Sequence, residues 1–166
     1  FDPEKKYPVL LTQYSGPGSQ SVADSFGMGW ENVLVGNGYI VACCDGRGTG
    51  FMGEDFKKQT YGNLGALEVE DQISFAKYLG SQSYIDKDRI GIYGWSYGGF
   101  MALGCALKGE GLFKMSIAVA PVTSWRYYDT IYTEIYNDLP QDNPKGYDEN
   151  SPINFADKLH ERTRLL

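Results

Sequence analysis

The amino-acid sequence predicts an α/β fold, built on a mostly parallel β-sheet with helices on both faces. Short apolar runs alternate with segments of helical periodicity over most of the chain, and such alternation is typical of parallel strands joined by crossover helices. One of these runs, residues 39–44, is apolar without interruption, as expected of a strand that is covered on both sides. The 166 residues, 42% of them hydrophobic, suit a single domain with a substantial core.

The first half of the chain predicts two strands with a helix between them. Residues 8–14 are apolar and β-prone, and a loop rich in glycine, proline and serine follows them. Residues 28–35 space their apolar side chains as a helix does, and Gly-Asn-Gly then ends the helix. The strand at 39–44 leads into a glycine-rich loop at 45–50, which lacks the spacing and the lysine of a phosphate-binding P-loop. We interpret that loop as a structural turn.

The second half continues the alternation. Residues 64–79 form the longest helical pattern, with apolar residues at steps of three and four. Residues 86–88 (Asp-Lys-Asp) predict a turn before a strand at 89–93, and a helix at 100–108 precedes another apolar strand at 115–120. The predicted order is therefore strand, helix, strand, helix, strand, helix, strand.

The last part of the chain differs in character. Five aromatic side chains crowd into residues 125–136, and a polar, proline-bearing stretch follows at 139–152. Pro152 can occupy the first position of a short final helix at 153–160. Because the final two leucines look like the start of a further strand, we expect the parallel sheet to be C-terminally incomplete.

A G-x-S-x-G motif formed by Gly94, Ser96 and Gly98 lies between the strand at 89–93 and the helix at 100–108. A strand that turns sharply into a helix holds one serine in an exposed and strained position, from which its hydroxyl can attack a carbonyl carbon. A side chain at either glycine would collide with neighbouring backbone in so tight a turn. An ordinary turn serine is the alternative, and the strand-turn-helix context favours a nucleophile.

Composition argues against several classes of function. The net charge is −6 and no basic tract or basic helix face is present, which argues against nucleic acid and an anionic membrane surface as partners. Cys43, Cys44 and Cys105 have neither metal-ligand nor redox spacing, so we expect small buried side chains, and no metal or cofactor is indicated. No apolar stretch reaches the ~20 residues that a membrane span requires, and no signal peptide opens the chain.

Six short segments together carry a resemblance to a known family. They are QYSGP at 13–17, DGRGTG at 45–50, GWSYGG at 94–99, AVAPV at 118–122, WRYYD at 125–129 and YTE at 132–134. These segments resemble the catalytic domain of dipeptidyl peptidase IV and its relatives, within the prolyl oligopeptidase group of α/β-hydrolases. The resemblance runs to about Leu159 and stops in residues 160–166 (HERTRLL). It implies an α/β-hydrolase fold in which residues 1–166 form the N-terminal and central part of a peptidase domain.

The resemblance implies that Ser96 is the nucleophile of a serine exopeptidase, which removes N-terminal dipeptides with proline or alanine in the second position. Ser96 would form an acyl-enzyme, which divides one difficult step into two easier ones. The oxyanion would be stabilised by the backbone N–H of Tyr97, the residue after the nucleophile, and by the hydroxyl of Tyr14. The pocket for the penultimate side chain would be lined by Tyr97, Val122, Trp125, Tyr128 and Tyr132.

Structural alternatives exist for the aromatic side chains. Tyr14 could be a packed core tyrosine, and Trp125, Tyr128 and Tyr132 could form the buried face of one amphipathic helix. A box of rigid rings nevertheless suits a flat, compact proline ring. The two interpretations are compatible, since a pocket wall is also a packed face.

The catalytic base is the point at which this sequence departs from the family pattern. A serine triad in this fold follows the order Ser, acid, His, and the resemblance places neither the acid nor the histidine within this chain. His160 is the single histidine and matches no catalytic position, although Asp157 lies one helical turn before it and could pair with it. Without a base a serine hydroxyl is a weak nucleophile, so we expect the 166-residue chain alone to be nearly inactive.

The resemblance also bears on partners and on alternative functions. Relatives hold the free amino terminus of a peptide substrate with carboxylates of a β-propeller domain, and they are often dimeric and often exported. We therefore expect a longer parent protein with a propeller, and the resemblance allows a homodimer and suggests an exported location. The alternatives are a general esterase or acylaminoacyl peptidase, and a non-catalytic binding domain of the same fold. The aromatic residues disfavour the first, and retention of Ser96 and Tyr14 disfavours the second.

Overall fold

The computed structural model describes residues 1–166 and contains one five-stranded parallel sheet. The strands are β1 (Tyr7–Thr12), β2 (Ile40–Ala42), β3 (Ile85–Trp95), β4 (Met115–Val119) and β5 (Arg164–Leu165). The helices are α1 (Glu31–Gly36), α2 (Glu54–Lys58), α3 (Leu67–Gly80), α4 (Tyr97–Lys108), α5 (Thr130–Asn137) and α6 (Pro144–Asp148), with short 3₁₀ helices at Trp125–Tyr127 and Pro152–Lys158. The predicted α/β architecture is confirmed. None of the helices has both the length and the apolar character needed to cross a bilayer.

The order of the strands brings three connecting segments to one edge of the sheet. The order is β2-β1-β3-β4-β5, and every neighbouring pair is parallel. In the centre, Leu11 of β1 pairs with Ile92 of β3, and Tyr93 pairs with Ile117 of β4. Because the carboxyl ends of parallel strands meet at the same edge, the segments that follow β1, β3 and β4 converge there. All of the predicted site residues lie in those three segments.

Helices pack on both faces of the sheet, as predicted. On one face α3 and α4 cover the strands, and Leu11, Ile92 and Phe100 belong to the core between them. All but the last residue of α4 are buried, as expected of a helix that is apolar on every side. On the other face, Trp30 at the start of α1 packs edge-on against Tyr93, with ring centroids 5.1 Å apart.

The turn predicted at residues 86–88 lies inside β3 in the structure. The strand begins at Ile85, and its register against β1 shifts before Ile90. The polar residues between these two positions bulge out of the ladder, as an irregular strand allows. The Asp86 carboxylate accepts a hydrogen bond from the backbone N–H of Asp88 at 3.0 Å, a local pattern typical of turns. The predicted start of this strand was therefore wrong, although the break in regular pairing is real.

The aromatic segment forms two short helices. A 3₁₀ turn at Trp125–Tyr127 ends at Tyr128, whose backbone is extended (φ −88°, ψ 166°). α5 begins anew because the Asp129 side chain accepts a hydrogen bond from the backbone N–H of Tyr132 at 2.8 Å, as an N-cap does. A single amphipathic helix through the three rings is therefore not formed.

Two of the helices, α2 and α6, were not predicted. Each has five residues, which is too short for a hydrophobic period to show. Local chemistry sets α6: the Asn143 side chain accepts a hydrogen bond from the Gly146 N–H at 3.1 Å, and Pro144 occupies the first turn. The final helix predicted at 153–160 is the 3₁₀ helix at Pro152–Lys158.

The final residues add β5 at the edge of the sheet. The backbone N–H groups of Arg164 and Leu166 donate to the carbonyl oxygens of Lys114 and Ser116, each at 2.9 Å. The strand predicted to begin at the final leucines is thus confirmed, one residue earlier than expected.

Candidate active site

Ser96 lies in the turn between β3 and α4, with its side chain half-buried. Its backbone has a positive φ (φ 59°, ψ −115°), a conformation that costs of the order of 1–3 kcal/mol for a residue with a side chain. Two backbone hydrogen bonds hold it there: Ser96 N–H donates to Val119 O at 2.9 Å, and Phe100 N–H donates to Ser96 O at 3.0 Å. The turn therefore has the strained strand-turn-helix geometry of a nucleophile elbow.

Both glycines of the motif lie where no side chain fits. A Cβ at Gly98 would lie 2.5 Å from the carbonyl oxygen of Gln13, just beyond the end of β1. A Cβ at Gly94 would collide with the backbone of Gly98 and would lie 2.6 Å from the Gln13 side-chain nitrogen. The predicted collision is confirmed. Gln13, which crowds both glycines, directly precedes Tyr14.

Two tyrosines flank Ser96 from different elements. Tyr14 follows β1 and is 38% exposed, whereas Tyr97 opens α4 and is buried. Their ring centroids are 6.0 Å apart. The backbone N–H groups in the first turn of a helix have no intrahelical acceptor, so that of Tyr97 is available at the positive end of the α4 dipole.

The seven predicted site residues surround one small cavity of about 20 Å³. Its walls are Tyr14, Ser96, Tyr97, Val122, Trp125, Tyr128 and Tyr132. The Trp125 ring is stacked on that of Tyr132 at a centroid distance of 6.3 Å, and it meets Tyr128 edge-on at 6.1 Å. These rings are therefore both a packed cluster and the wall of a cavity that includes Ser96.

The hydroxyls of Tyr14, Tyr97 and Tyr132 have raised pKa values, which favour their neutral form. Burial raises the pKa of Tyr14, and the neighbouring Tyr128 and Tyr136 hydroxyls add to the shift. Burial also raises the pKa of Tyr132 and, more strongly, that of Tyr97. These groups can therefore act as hydrogen-bond donors throughout the neutral pH range.

A buried carboxyl group supports one wall of the cavity. Glu68, on α3, accepts hydrogen bonds from the Tyr97 hydroxyl at 2.7 Å and from the Gly65 N–H at 2.9 Å. Burial raises the pKa of Glu68 to about 7, although both hydrogen bonds oppose the shift. Glu68 thus fixes the far end of the Tyr97 side chain.

His160 lies at the opposite edge of the sheet from Ser96. A Cβ on Gly111 would be 2.8 Å from its Nδ1 atom, and Gly111 belongs to the loop that precedes β4. That loop is at the amino edge of the strands, whereas Ser96 follows the carboxyl end of β3. The Nδ1 atom accepts a hydrogen bond from the Arg162 N–H at 3.1 Å. The expectation that His160 matches no catalytic position agrees with this placement.

A larger cavity beside α1 offers different chemistry. An apolar groove of about 410 Å³ lies on the face of the sheet beside α1, where Leu10, Trp30, Tyr93 and Met115 contribute to its lining. The only hydroxyl groups that border this groove are the phenols of Tyr39 and Tyr93, and no carboxylate borders it. No group of three or more His, Cys, Asp or Glu side chains is arranged to hold a metal ion.

The cysteines are free thiols. Cys105 is buried, as expected, whereas Cys43 and Cys44 are only half-buried. Burial raises the pKa of all three thiols, that of Cys43 to about 11. A thiol with a raised pKa is a poor nucleophile, so the cysteines offer no competing reactive group.

Comparison with known proteins assigns the chain to a family. The sequence profile described as the Prolyl oligopeptidase family matches residues 25–166. The chain belongs to the prolyl oligopeptidase family. Because the match extends to Leu166, the expectation that similarity ends near Leu159 was wrong. The final residues pair through their backbone as β5 and leave exposed side chains, so they carry little pattern by which a resemblance can be seen.

Named members of the prolyl oligopeptidase family are similar to this chain over its whole length. Probable dipeptidyl-aminopeptidase B of Botryotinia fuckeliana is 49% identical, and that of Trichophyton verrucosum is 51% identical, each over 100% of the chain. The crystal structure of Porphyromonas gingivalis dipeptidyl peptidase 4 matches 99% of the chain, with 48% identity and a TM-score of 0.95. A putative dipeptidyl aminopeptidase IV from Bacteroides ovatus matches 96%, with 40% identity and a TM-score of 0.92.

These relatives are much longer than the chain. The chain spans 18% and 19% of the two dipeptidyl-aminopeptidases, and 24% and 23% of the two solved structures. The predicted α/β-hydrolase fold is confirmed, and the family and the names of its members support a serine peptidase of the dipeptidyl peptidase type.

Two residues that contact the cavity walls were not predicted. Gln13 was noted only as part of the QYSGP segment, and Glu68 only as part of a helix. For Gln13 there was no signal, because it lay within the strand predicted at residues 8–14 and its partner Gly98 is distant in the sequence. For Glu68 there was no signal, because a carboxylate on a helix is exposed in most proteins.

Proposed function

We propose that the protein to which this chain belongs is a serine peptidase that releases N-terminal dipeptides with proline or alanine in the second position. The observation that carries the proposal is the cavity at the elbow, which is lined by the strained Ser96, by Tyr14 and by an aromatic wall. Ser96 Oγ forms a bond to the scissile carbonyl carbon while a base takes its proton, and the leaving amine receives that proton as the peptide bond breaks. Water then hydrolyses the acyl-enzyme and regenerates Ser96.

The two candidate oxyanion donors support this reaction. The Tyr97 N–H opens α4 and the Tyr14 hydroxyl is neutral, so each can donate to the oxygen that becomes negative as Ser96 attacks. Donors that are already aligned stabilise the transition state without reorganisation, and the loss of one typically costs about 3 kcal/mol.

The aromatic wall supports selectivity for a compact penultimate residue. Trp125 and Tyr97 are buried and packed, so they form a rigid floor, whereas Tyr14 and Tyr128 are 38% and 41% exposed and can shift to admit a ring. The enclosed space is small, about 20 Å³. A long or a charged side chain would have to displace the packed rings or leave its charge desolvated, whereas proline and alanine are small and apolar.

Other components of the reaction belong to the rest of the longer protein in this proposal. His160 is at the wrong edge of the sheet to serve as base, so the triad acid and histidine would come from a segment outside this chain. The β-propeller that holds the substrate amino terminus, a homodimer and an exported location all stay predictions.

The test uses the full-length protein and glycyl-prolyl-p-nitroanilide. Ser96→Ala should abolish turnover and also labelling by a fluorophosphonate, because both need the serine oxygen. Ser116→Ala is the control, since Ser116 is a buried serine of β4 with a structural hydrogen bond to Ala102 O at 2.8 Å. Acylaminoacyl substrates cleaved in preference to dipeptidyl ones would favour the acylaminoacyl peptidase, and an unlabelled Ser96 would favour a binding domain.

A further inference from the structure

We infer that Gln13 is a positioning residue that holds the hydroxyl of Tyr14 in register with the nucleophile elbow. The inference rests on the proposed function, because it gives a cause for the placement of one of the two oxyanion donors. Gln13 directly precedes Tyr14 and is 7% exposed. Buried amide groups are hydrogen-bonded in nearly all folded proteins, so the partners of Gln13 show what it holds together.

The Gln13 side chain bridges the end of β1 to the elbow. Its Nε2 group donates to Gly98 O at 2.9 Å in a buried bond and approaches Tyr93 O at 3.4 Å. Both partners are carbonyl oxygens, so the hydrogen-bond network assigns the amide orientation, with nitrogen towards them. Because Gly98 lies two residues after Ser96, this bond joins the segment carrying Tyr14 to the turn carrying the nucleophile.

A chain of hydrogen bonds extends from the other end of the same amide. Gln13 Oε1 accepts from the Ser15 hydroxyl at 3.0 Å, and Ser15 Oγ accepts in turn from Gln72 Nε2 at 3.3 Å. Gln72 Nε2 also donates to Cys44 O at 2.9 Å, so the network reaches both α3 and the segment just after β2. All three side chains are buried, and a connected buried network makes the segments that it joins more rigid.

The network also offsets an unfavourable backbone conformation beside Tyr14. Ser15 has a φ of 65°, which a residue with a side chain adopts only when its surroundings enforce it. The Tyr14 ring lies over Gly16, where a Cβ would be 2.5 Å from the ring. The Tyr14 ring also packs beside that of Tyr97, at a centroid distance of 6.0 Å. Gln13 and Ser15, on either side of Tyr14, hold the backbone from which this ring projects.

The test is a double-mutant cycle in the full-length protein, with glycyl-prolyl-p-nitroanilide as substrate. Gln13→Met keeps the approximate volume of the side chain and removes its hydrogen bonds. We expect kcat to fall roughly 10- to 100-fold, with KM changed less than about twofold, because an oxyanion donor is misplaced while the pocket wall remains. In a Tyr14→Phe background the same substitution should cause no further loss, since the donor that Gln13 positions is already absent.

A merely structural role for Gln13 predicts a different pattern. Gln13→Met would then lower kcat by the same factor with and without Tyr14→Phe, and that result would overturn the inference, as would an unchanged kcat. Ser15→Ala breaks the same network and should show the same non-additivity, which keeps the test decisive if Gln13→Met fails to fold. Ser116→Ala is the matched control, because it removes one buried serine hydrogen bond elsewhere and should act equally in both backgrounds.

The same measurements separate this inference from the proposed function. If Ser96→Ala leaves kcat unchanged, the proposed function is overturned, and the role of Gln13 with it. If only Tyr14→Phe leaves kcat unchanged, the oxyanion role of Tyr14 fails, and the role of Gln13 fails with that. If both lower kcat and Gln13→Met does not, only the positioning role fails.

Discussion

At the scale of single residues, Glu68 is a buried acid that is hydrogen-bonded to the turn that holds Ser96. Its carboxyl group accepts a hydrogen bond from the Tyr97 hydroxyl at 2.7 Å, and Tyr97 directly follows Ser96, the proposed nucleophile. Burial raises the pKa of Glu68 to about 7, so a substantial fraction of the group is neutral at the pH at which an ordinary glutamate is ionised. The ionisation of Glu68 is therefore coupled to the folded state.

We predict that Glu68 makes the folded protein less stable as the pH rises from about 5 to about 8. Its pKa in the folded state lies above the ordinary value of 4.5, so in this window the native chain retains a proton that the unfolded chain has released. The free energy of unfolding then falls with rising pH. Glu68→Gln carries no charge at this position and should remove this dependence. As the pH rises, the unfolding midpoint of the wild type should therefore fall by a few degrees relative to that of Glu68→Gln. The measurement is differential scanning calorimetry of both full-length proteins at each pH.

Glu161→Gln is the control for this prediction. Glu161 is exposed, so its removal should leave the pH dependence of the wild type in place. Identical pH dependence in the wild type and in Glu68→Gln would contradict a raised pKa for Glu68.

The residues of the site divide into those with a local signal and those without one. Ser96 and Tyr97 are identified by the motif that contains them, and Trp125 by a local crowd of aromatic residues. Gln13 and Glu68 act through partners that are 85 and 29 residues away in the sequence. No periodicity or motif reports such a contact, so only the folded structure could identify them.

At the scale of elements, the end of β1 and the turn into α4 are one packed unit. The backbone of Gln13 occupies the space that a side chain at position 98 would need. Gly104, further along α4, is also crowded, but by the side chain of Val69, which would lie 2.7 Å from a Cβ at that position. The Gln13 backbone cannot move without moving Tyr14, whereas the Val69 side chain can adjust its position.

We predict that Gly98→Ala lowers kcat at least 100-fold in the full-length protein, because the methyl group pushes the Tyr14 segment away from Ser96. Gly104→Ala should keep kcat within a few-fold, since the gain in helix propensity of about 1 kcal/mol partly offsets its crowding. The two variants are compared by kcat on glycyl-prolyl-p-nitroanilide and by thermal unfolding. Equal losses of kcat in both would show that crowding in α4, and not the contact with β1, is responsible.

The elements differ in how far their sequences determine them. α3 and α4 were predicted within a few residues of their ends, because each has more than three turns over which an apolar pattern can repeat. α2 and α6 were missed because each has only five residues, and only α6 has a side-chain cap, from Asn143. The bulge within β3 was interpreted as a turn, since its Asp-Lys-Asp residues make the same local hydrogen bonds in either case.

At the scale of the whole molecule, the parallel order of the strands is what assembles the site. Tyr14, Ser96 and Val122 come from segments that follow three neighbouring strands, and a shared carboxyl edge brings them together. Alternating strands and helices made that edge predictable from the sequence. The same topology keeps His160 away from the site. This residue lies just before β5 and beside the loop that precedes β4, so it is at the other edge of the sheet.

We predict that the 166-residue chain alone turns over glycyl-prolyl-p-nitroanilide with a kcat roughly a millionfold below that of the full-length protein. Its one histidine cannot reach Ser96, and the loss of a triad base costs about that factor in serine peptidases. The full-length protein in the same buffer is the positive control, and circular dichroism reports whether the chain is folded. Robust turnover by the chain that Ser96→Ala abolishes would refute this prediction.

The contact between Gln13 and the two motif glycines has a consequence for protein engineering. The nine residues from Gly91 to Gly99 look like a self-contained cassette that could be grafted onto another scaffold. Such a graft would carry Ser96 and leave behind the segment that packs against Gly94 and Gly98. A working transplant therefore requires residues 13–16 to travel with it, as the second half of a single discontinuous module.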